Sequence, residues 1–464
     1  MTKKDLDYVV KEGIANSIKV GAGESYLTPY AIALGASSVQ VGFLKSIPQL
    51  VGSLSQLFST SITEYMKTRK RMITIGVFFQ ALMFLPIIYV FFITQQRVWF
   101  LILFVMIYWM LGSITVPAWN SWLGDIVPDR IKGKYFGKRN SITKLTSFAS
   151  MLIAGLLLQF FSNINWMIGF TLIFSVAMIS RLVGSWYVHR INEPKYHFPK
   201  ESKFSFIDFI KRMKKTNYGI FVIYLCLMSF SVQIFSPYSV VYLLKDLKFN
   251  YLTYTIVIAA STLSSFLFMP VWGKYIDVFG NKKIITLTGY LIPLVPILWL
   301  ISKNPFYLMF AEVFSGFAWS GFHLATFNFV FDTVSRSKRV RCVSYYNVLN
   351  GVAIFFGASL GGFLLRFGTI FWSKIYLLMI VSGICRFVTS LMMLPRIKEV
   401  KWVRRISEGK LLWSLLTTDV LEGLTYPVEV LMDKRRAVKK KGERILEWIE
   451  KWIGVLLGKR HKYS

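Results

Sequence analysis

The sequence predicts an all-α membrane protein: twelve transmembrane helices in two pseudo-symmetric six-helix bundles. Three observations predict it. Twelve apolar segments approach bilayer-spanning length. Lysines and arginines crowd alternate loops, and polar loop residues of the first half recur in order in the second. A mean hydropathy of +0.50 with 54% hydrophobic residues is more than a soluble fold of 464 residues would bury. The three cysteines, Cys226, Cys342 and Cys385, give neither a disulfide framework nor metal-ligand spacing.

In chain order the segments fall at 17–36, 39–62, 72–94, 98–119, 141–162, 166–188, 218–244, 252–272, 284–302, 305–331, 345–366 and 372–395. All are read as helices, because an open sheet cannot satisfy its backbone in lipid. The first is the weakest by hydropathy, since it carries Lys19 and Glu24. Residues 1–16 are polar, resemble no cleavable leader and are expected in the cytoplasm. With that end inside, Arg97, Lys245, Lys248, Lys303, Arg366 and Lys374 alone reach the opposite loops. Lys19, Lys45, Lys144, Arg181 and Arg386 fall within helices, and every other lysine and arginine is on the inner side. This is the positive-inside pattern and puts both termini in the cytoplasm. The net charge of +32 therefore reports topology and contact with anionic lipid rather than nucleic-acid binding.

The internal repeat aligns Asp125 with Asp332, Lys132 with Arg339, Lys134 with Arg341 and Asn140 with Asn347. It continues through Gly155 and Gly362 to Arg181 and Arg386, and ends with Arg190-Ile191-Asn192-Glu193 against Arg396-Ile397-Lys398-Glu399. Between segments 8 and 9 stands Gly273-Lys274-Tyr275-Ile276-Asp277-Val278-Phe279-Gly280-Asn281-Lys282-Lys283. Gly273 suits a close helix approach, Asp277 can accept from free N–H groups at a helix start, and Gly280 suits a turn of positive φ. Lys282 and Lys283 hold the next helix at the cytoplasmic surface. This run resembles the loop signature of the major facilitator superfamily. Its first-half counterpart, residues 61–71, keeps the basic cluster and places Glu64 for the aspartate, but lacks both glycines. The run from Trp119 to Pro128, with Gly133 to Asn140, is similar to the same family's loop after its fourth helix. The resemblance covers about residues 13–395 and implies domains at 17–188 and 218–395.

Residues 189–217 read as a cytoplasmic linker whose patch from Phe204 to Ile210 forms a short helix on the membrane surface. Residues 396–464 are a basic cytoplasmic tail, in which apolar residues from Ile445 to Leu457 recur on one helix face. It is expected to lie on anionic lipid as an amphipathic helix, or to bind a partner.

Polar residues inside membrane helices are functional candidates. Ser17, Gly21, Glu24 and Thr28 share a face of segment 1 at regular helical spacing, as do Ser229, Gln233 and Ser236 on segment 7. Segment 4 offers Trp109 and Asn120, and segment 10 offers Glu312, Trp319 and His323. The resemblance implies that segments 1, 4, 7 and 10 line a central cavity, so Glu24, Trp109, Asn120, Gln233, Trp319 and His323 are the expected substrate-binding set. Glu24, the deeper acid, is the first choice for a coupled proton, with Glu312 second and His323 a relay. The other reading is a structural Glu24–Lys45 ion pair. Arg181 and Arg386 are expected outside the cavity, snorkelling or pairing with Asp125 or Asp332. Gating is assigned to Gly273, Asp277, Gly280, Lys282 and Lys283, with Glu64, Asp125 and Asp332.

The resemblance implies a monomeric secondary transporter of the cell membrane, moving a small solute by alternating access without a cofactor. No G-x-x-x-x-G-K-S/T run suggests ATP hydrolysis, and the four histidines are not spaced as an enzyme site. A membrane-embedded enzyme or a non-transporting sensor is the alternative. Aromatic and amide groups suit sugars, and a carboxylate suits cations or lipophilic amines.

Overall fold

The computed structural model describes residues 3–400, apart from 94, 128–131, 163, 195–204, 335 and 366–372. Its regular elements are helices, and they give the twelve-helix plan. α1 runs from Lys3–Ile18 through a π-turn (Lys19–Gly23) and a 3-10 turn (Glu24–Tyr26) to Leu27–Ala33. α2 joins Ser38–Ser55 to Ser59–Met66. There follow α3 (Arg69–Phe92), α4 (Arg97–Ile126), α5 (Lys132–Ser162) and α6 (Trp166–Arg190). The second half holds α7 (Asn217–Asp246), α8 (Tyr251–Phe279), α9 (Asn281–Ile301), α10 (Pro305–Thr333), α11 (Arg336–Leu364) and α12 (Ile375–Met393).

Short polar residues start these helices by accepting orphan N–H bonds. Ser37 and Gln40 form a capping box on α2, and Thr68, Asn165, Thr216, Asn250 and Asn304 cap α3, α6, α7, α8 and α10. Nine described helices are long and apolar enough to cross a bilayer. The three that fall short, α1, α2 and α10, carry Glu24, Lys45 and Glu312. Weak hydropathy does not mark every helix that brings charge inside, since α6 and α12 pass with Arg181 and Arg386 buried.

Several expectations are corrected. α1 begins at Lys3, not near 17, and its first turns are packed: Asp5, Val9 and Glu12 are buried. Asp5 accepts from the Asn192 backbone and side chain, so the polar N-terminal segment is tied to the bundle. Arg181 neither snorkels nor meets Asp125. It donates to Gln80 Oε1 at 2.9 Å and Glu12 Oε1 at 3.2 Å, while Arg139 holds the other Glu12 oxygen at 3.4 Å. Arg386 does not meet Asp332 either. Gly273 serves no close approach, since a Cβ there would find its nearest neighbour, Leu324, at 3.9 Å. Gly280 does take positive φ, 83°, and breaks α8 from α9. At the matching turn of the first half, Lys67 adopts φ 60° without a glycine's freedom. The Asp277 side chain and the tail from 401 lie outside the described residues. In the linker, Phe206–Arg212 is helical as expected, but Phe209 is buried against Tyr218 and Tyr345, so this helix is docked on α7 and α11.

The repeated loop residues form one device in both halves. Glu193 accepts from the backbone N–H groups of Arg69 and Lys70 at the start of α3, and from Arg69 Nε at 3.1 Å. Asp125 accepts from Arg69 Nη1 at 2.7 Å. In the second half Glu399 accepts from the Lys282 backbone at 2.9 Å, and Asp332 accepts from Asn281 at 2.6 Å. Each half thus gathers two carboxylates onto the N-terminus of its third helix, where the helix dipole favours negative charge.

The apolar core shows how the halves meet. At the end away from the termini, one cluster runs through both halves, from Tyr26 and Leu44 to Tyr238 and Tyr376. At the terminus end each half has its own core, one around Trp122 and the other around Trp272. The far end is further sealed by Tyr238, which donates to Ala358 O at 2.7 Å and fills the space a Cβ on Gly42 would need. Tyr26 donates to Met151 O at 2.6 Å and lies 2.8 Å from Thr255 Oγ1, and Lys245 donates to Ala36 O. The apolar cores of the halves are therefore joined at the far end and separate at the other, where α11 still meets α2 through Asn347, which donates to Gln56 Oε1 at 2.8 Å.

Arg69 is buried with two acids on it. Arg69→Ala is expected to lower stability by about 1–3 kcal/mol, because it takes the cation from a half-buried glutamate that keeps its two backbone N–H bonds. A thermal-unfolding midpoint equal to wild type would overturn that assignment.

Candidate functional site

The site starts from a break in α1. Lys19 and Glu24 are five residues apart, and on a regular α-helix their side chains would diverge by about 140°. The π-turn widens the helix over Lys19–Gly23 and brings them together. Lys19 Nζ donates to Glu24 Oε1 at 2.7 Å, and Tyr108 Oη of α4 donates to the same oxygen at 2.7 Å. The ammonium also lies 5.6 Å from the centre of the Tyr108 ring. Gly21 makes room for the bend, since a Cβ there would strike Ser147 O of α5 at 2.4 Å. The partner of Glu24 is thus Lys19. The alternative Glu24–Lys45 pair is not formed, because the π-turn supplies a nearer cation.

Between the halves lies a cavity of about 570 Å³. The first half contributes Glu24, Thr28, Lys45, Gln49 and Trp109. The second contributes Gln233, Ser236, Thr262, Glu312, Ser315, Trp319 and Arg386, with Trp299 closing one side. Of the sequence candidates, Glu24, Trp109, Gln233, Glu312 and Trp319 therefore stand together. Glu312 Oε1 accepts from the Trp299 indole at 3.2 Å and has no lysine or arginine at ion-pairing distance among the described residues.

Asn120 and His323 are not on this wall, and both are exposed. Helical spacing still puts Asn120 on the face of Trp109, and His323 on the face of Trp319, whose ring it stacks upon at 5.1 Å. Both lie toward the terminus end, where the two cores are separate, so they face the widening mouth. Of the gating set, Glu64 and Asp125 are exposed near the start of α3, and Asp332 is bonded to Asn281.

Sequence reading missed Lys45, Gln49 and Arg386 as cavity residues. Lys45 and Gln49 are one turn apart on α2, a signal that was available. Arg386 reaches the wall from α12, held by Ser382 Oγ at 3.1 Å and by the carbonyls of Ile292 and Val232 at 3.4 and 3.5 Å. No spacing within α12 announces that.

Two six-helix bundles closing around a charged cavity, reached from one end, define a transporter architecture. The chain belongs to the Major Facilitator Superfamily, whose family model matches residues 20–258 and again 220–452. Among solved structures it is similar to a point variant of the nucleoside transporter NupG, with 13% identity, a TM-score of 0.67, and coverage of 85% of this chain and all of that one. It is similar to a bacterial homologue of the iron transporter ferroportin in an inward-facing state, with 12% identity, TM-score 0.66, and coverage of 86% and 99%. A D-xylose-proton symporter gives 12% identity, TM-score 0.64, and coverage of 86% and 97%. At such identities the likeness is one of fold. Among curated proteins none matches the chain in sequence.

Removing Lys19 leaves Glu24 half-buried without its cation. Lys19→Met is expected to lower stability by about 3–5 kcal/mol, and Glu24→Gln in that background to restore most of it. Thermal unfolding of the two single variants and the double variant measures the coupling. Additive effects would mean that the pair is not the stabilising contact.

Proposed function

We propose that this protein is a secondary transporter that carries a small solute across the cell membrane by alternating access, with both termini in the cytoplasm. The observation that carries the reading is the cavity itself: charged and aromatic groups from both halves converge on it, the apolar seam is continuous at one end only, and the other end is divided. Rocking the halves would exchange which end is sealed. With the positive-inside pattern, this conformation is open to the cytoplasm. The basic tail on anionic lipid and a monomeric state belong to the same proposal.

Coupling is assigned first to Glu312, then to Glu24. Glu24 already holds a lysine ammonium, whereas Glu312 meets an uncharged indole and can be discharged by a proton or cation. With purified protein in liposomes, wild type should accumulate a solute when a pH gradient is imposed. Glu312→Gln should abolish that accumulation and keep solute exchange. Pumping by Glu312→Gln at the wild-type level would return the role to Glu24. No flux of any solute in a broad panel would favour the sensor or enzyme reading.

Asp277 is proposed to hold the terminus end closed in the opposite state by bonding side chains of α11 near Val343 to Tyr346; these lie two turns inside a helix that begins at Arg336 rather than near 345, so no free N–H group is offered there, and the place of Asp277 one turn before the Gly280 break supports the role. Asp277→Asn should shift the population toward the terminus-open state by ~1–3 kcal/mol. Labelling of single cysteines at both ends reads this out, and an unchanged pattern in folded protein would remove Asp277 from the gate.

A further inference from the structure

The charges on the cavity wall do not balance, and the imbalance has a sign. Glu24 is matched by Lys19 at 2.7 Å. That leaves Lys45 and Arg386 against Glu312. Lys45 is exposed to the cavity and has no carboxylate at ion-pairing distance among the described residues. Arg386 is buried, and its described bonds go to a serine hydroxyl and two backbone carbonyls, the latter long; Glu312 lies within its electrostatic range but not in contact, so the wall keeps one cation in excess. A cation at membrane depth is costly unless it serves a partner. The two cations come from opposite halves, Lys45 from α2 and Arg386 from α12, and both line the one cavity. Gln49 and Gln233 add amide groups from each half, and Trp109 and Trp319 add ring surfaces.

We infer that the transported solute is an organic anion, a carboxylate or a phosphate monoester on an aromatic or otherwise planar body, with its charged group held by Lys45 and Arg386. This rests on the transporter reading above and replaces the sugar or amine expected from the residues legible in sequence. Lys45 is the more accessible anchor. Arg386 has a planar guanidinium that suits both carboxylate and phosphate. Discharge of Glu312 would remove the one unmatched negative group from the wall and so favour the anion, which deepens the coupling proposed for that residue.

The test uses full-length purified protein and four solutes that share one ring system: 1-naphthoate, 1-naphthyl phosphate, 1-naphthamide and 1-naphthylmethylamine. Ligands that bind the folded state raise its unfolding midpoint by mass action. The two anions should raise it, with the larger shift telling carboxylate from phosphate, and the amide and amine should not. Lys45→Gln should keep the unliganded midpoint and weaken anion binding at least ~10-fold by calorimetry, while Lys45→Arg should stay within about threefold of wild type. The inference is overturned if the amine or amide stabilises as much as the anions, if no anion shifts the midpoint, or if Lys45→Gln binds the anion as wild type does. Liposome flux of a cationic or uncharged solute in place of anions would overturn it too, while leaving the transporter reading standing.

Discussion

The contact on which the site depends is the Lys19–Glu24 pair. A lone carboxylate or ammonium at membrane depth is costly, and two together are tolerable only when their geometry is good. The helix reaches that geometry by giving up its regular hydrogen-bond ladder for one π-turn and one 3-10 turn. The bend needs a glycine against α5, and the carboxylate needs the Tyr108 hydroxyl of α4. One ion pair therefore fixes how α1, α4 and α5 sit around the cavity. α7, the counterpart of α1 in the repeat, is also irregular, with a 3-10 turn at Ser236–Tyr238 and a π-turn at Tyr242–Asp246. The two helices that face each other across the halves are both broken, and the broken parts carry Glu24, Ser236 and the sealing tyrosines Tyr26 and Tyr238.

The repeat shows which constraints both halves share. Asp125 and Glu193 converge on the start of α3, and Asp332 and Glu399 on the start of α9. In the first half the acids meet a buried arginine, and in the second an asparagine amide and a backbone N–H. The first turn before α3 is made by Lys67 at φ 60°, the second by Gly280 at φ 83°. The shared feature is backbone capture by carboxylates, which depends little on the side chain at the helix start. The side chains around it have diverged.

That division explains what was legible in the sequence. The twelve helices and their pairing into halves follow from hydropathy, loop charge and the repeat, all of which are read along the chain without knowledge of packing. The cavity candidates on α4, α7 and α10 were legible because those helices are regular where Trp109, Gln233, Glu312 and Trp319 stand, so helical spacing holds. Glu24 was found, but not its partner, since spacing arguments assume 3.6 residues per turn and the π-turn violates that. Arg181 and Arg386 looked equivalent from their matched positions. One is absorbed by Glu12 and Gln80 within the first half, and the other reaches the central cavity, because the matching stretch of the second half, Asn217–Gln233, carries no acid in place of Glu12.

The unequal ends of the molecule and the charge of its cavity bear on each other. Closing the terminus end would bring the two separate cores together and shut water out of a cavity that holds Lys45 and Arg386. Drying an unmatched cation is costly, since its solvation is lost and nothing replaces it. On the proposal above, an anion near the two cations would supply the missing charge and lower that cost, so the occluded state would become accessible chiefly when the solute is bound. A neutral body of the same shape would fill the volume and leave the penalty in place. Under the proposal of an anionic solute, the charge that recognises it would also govern whether the halves can close on it.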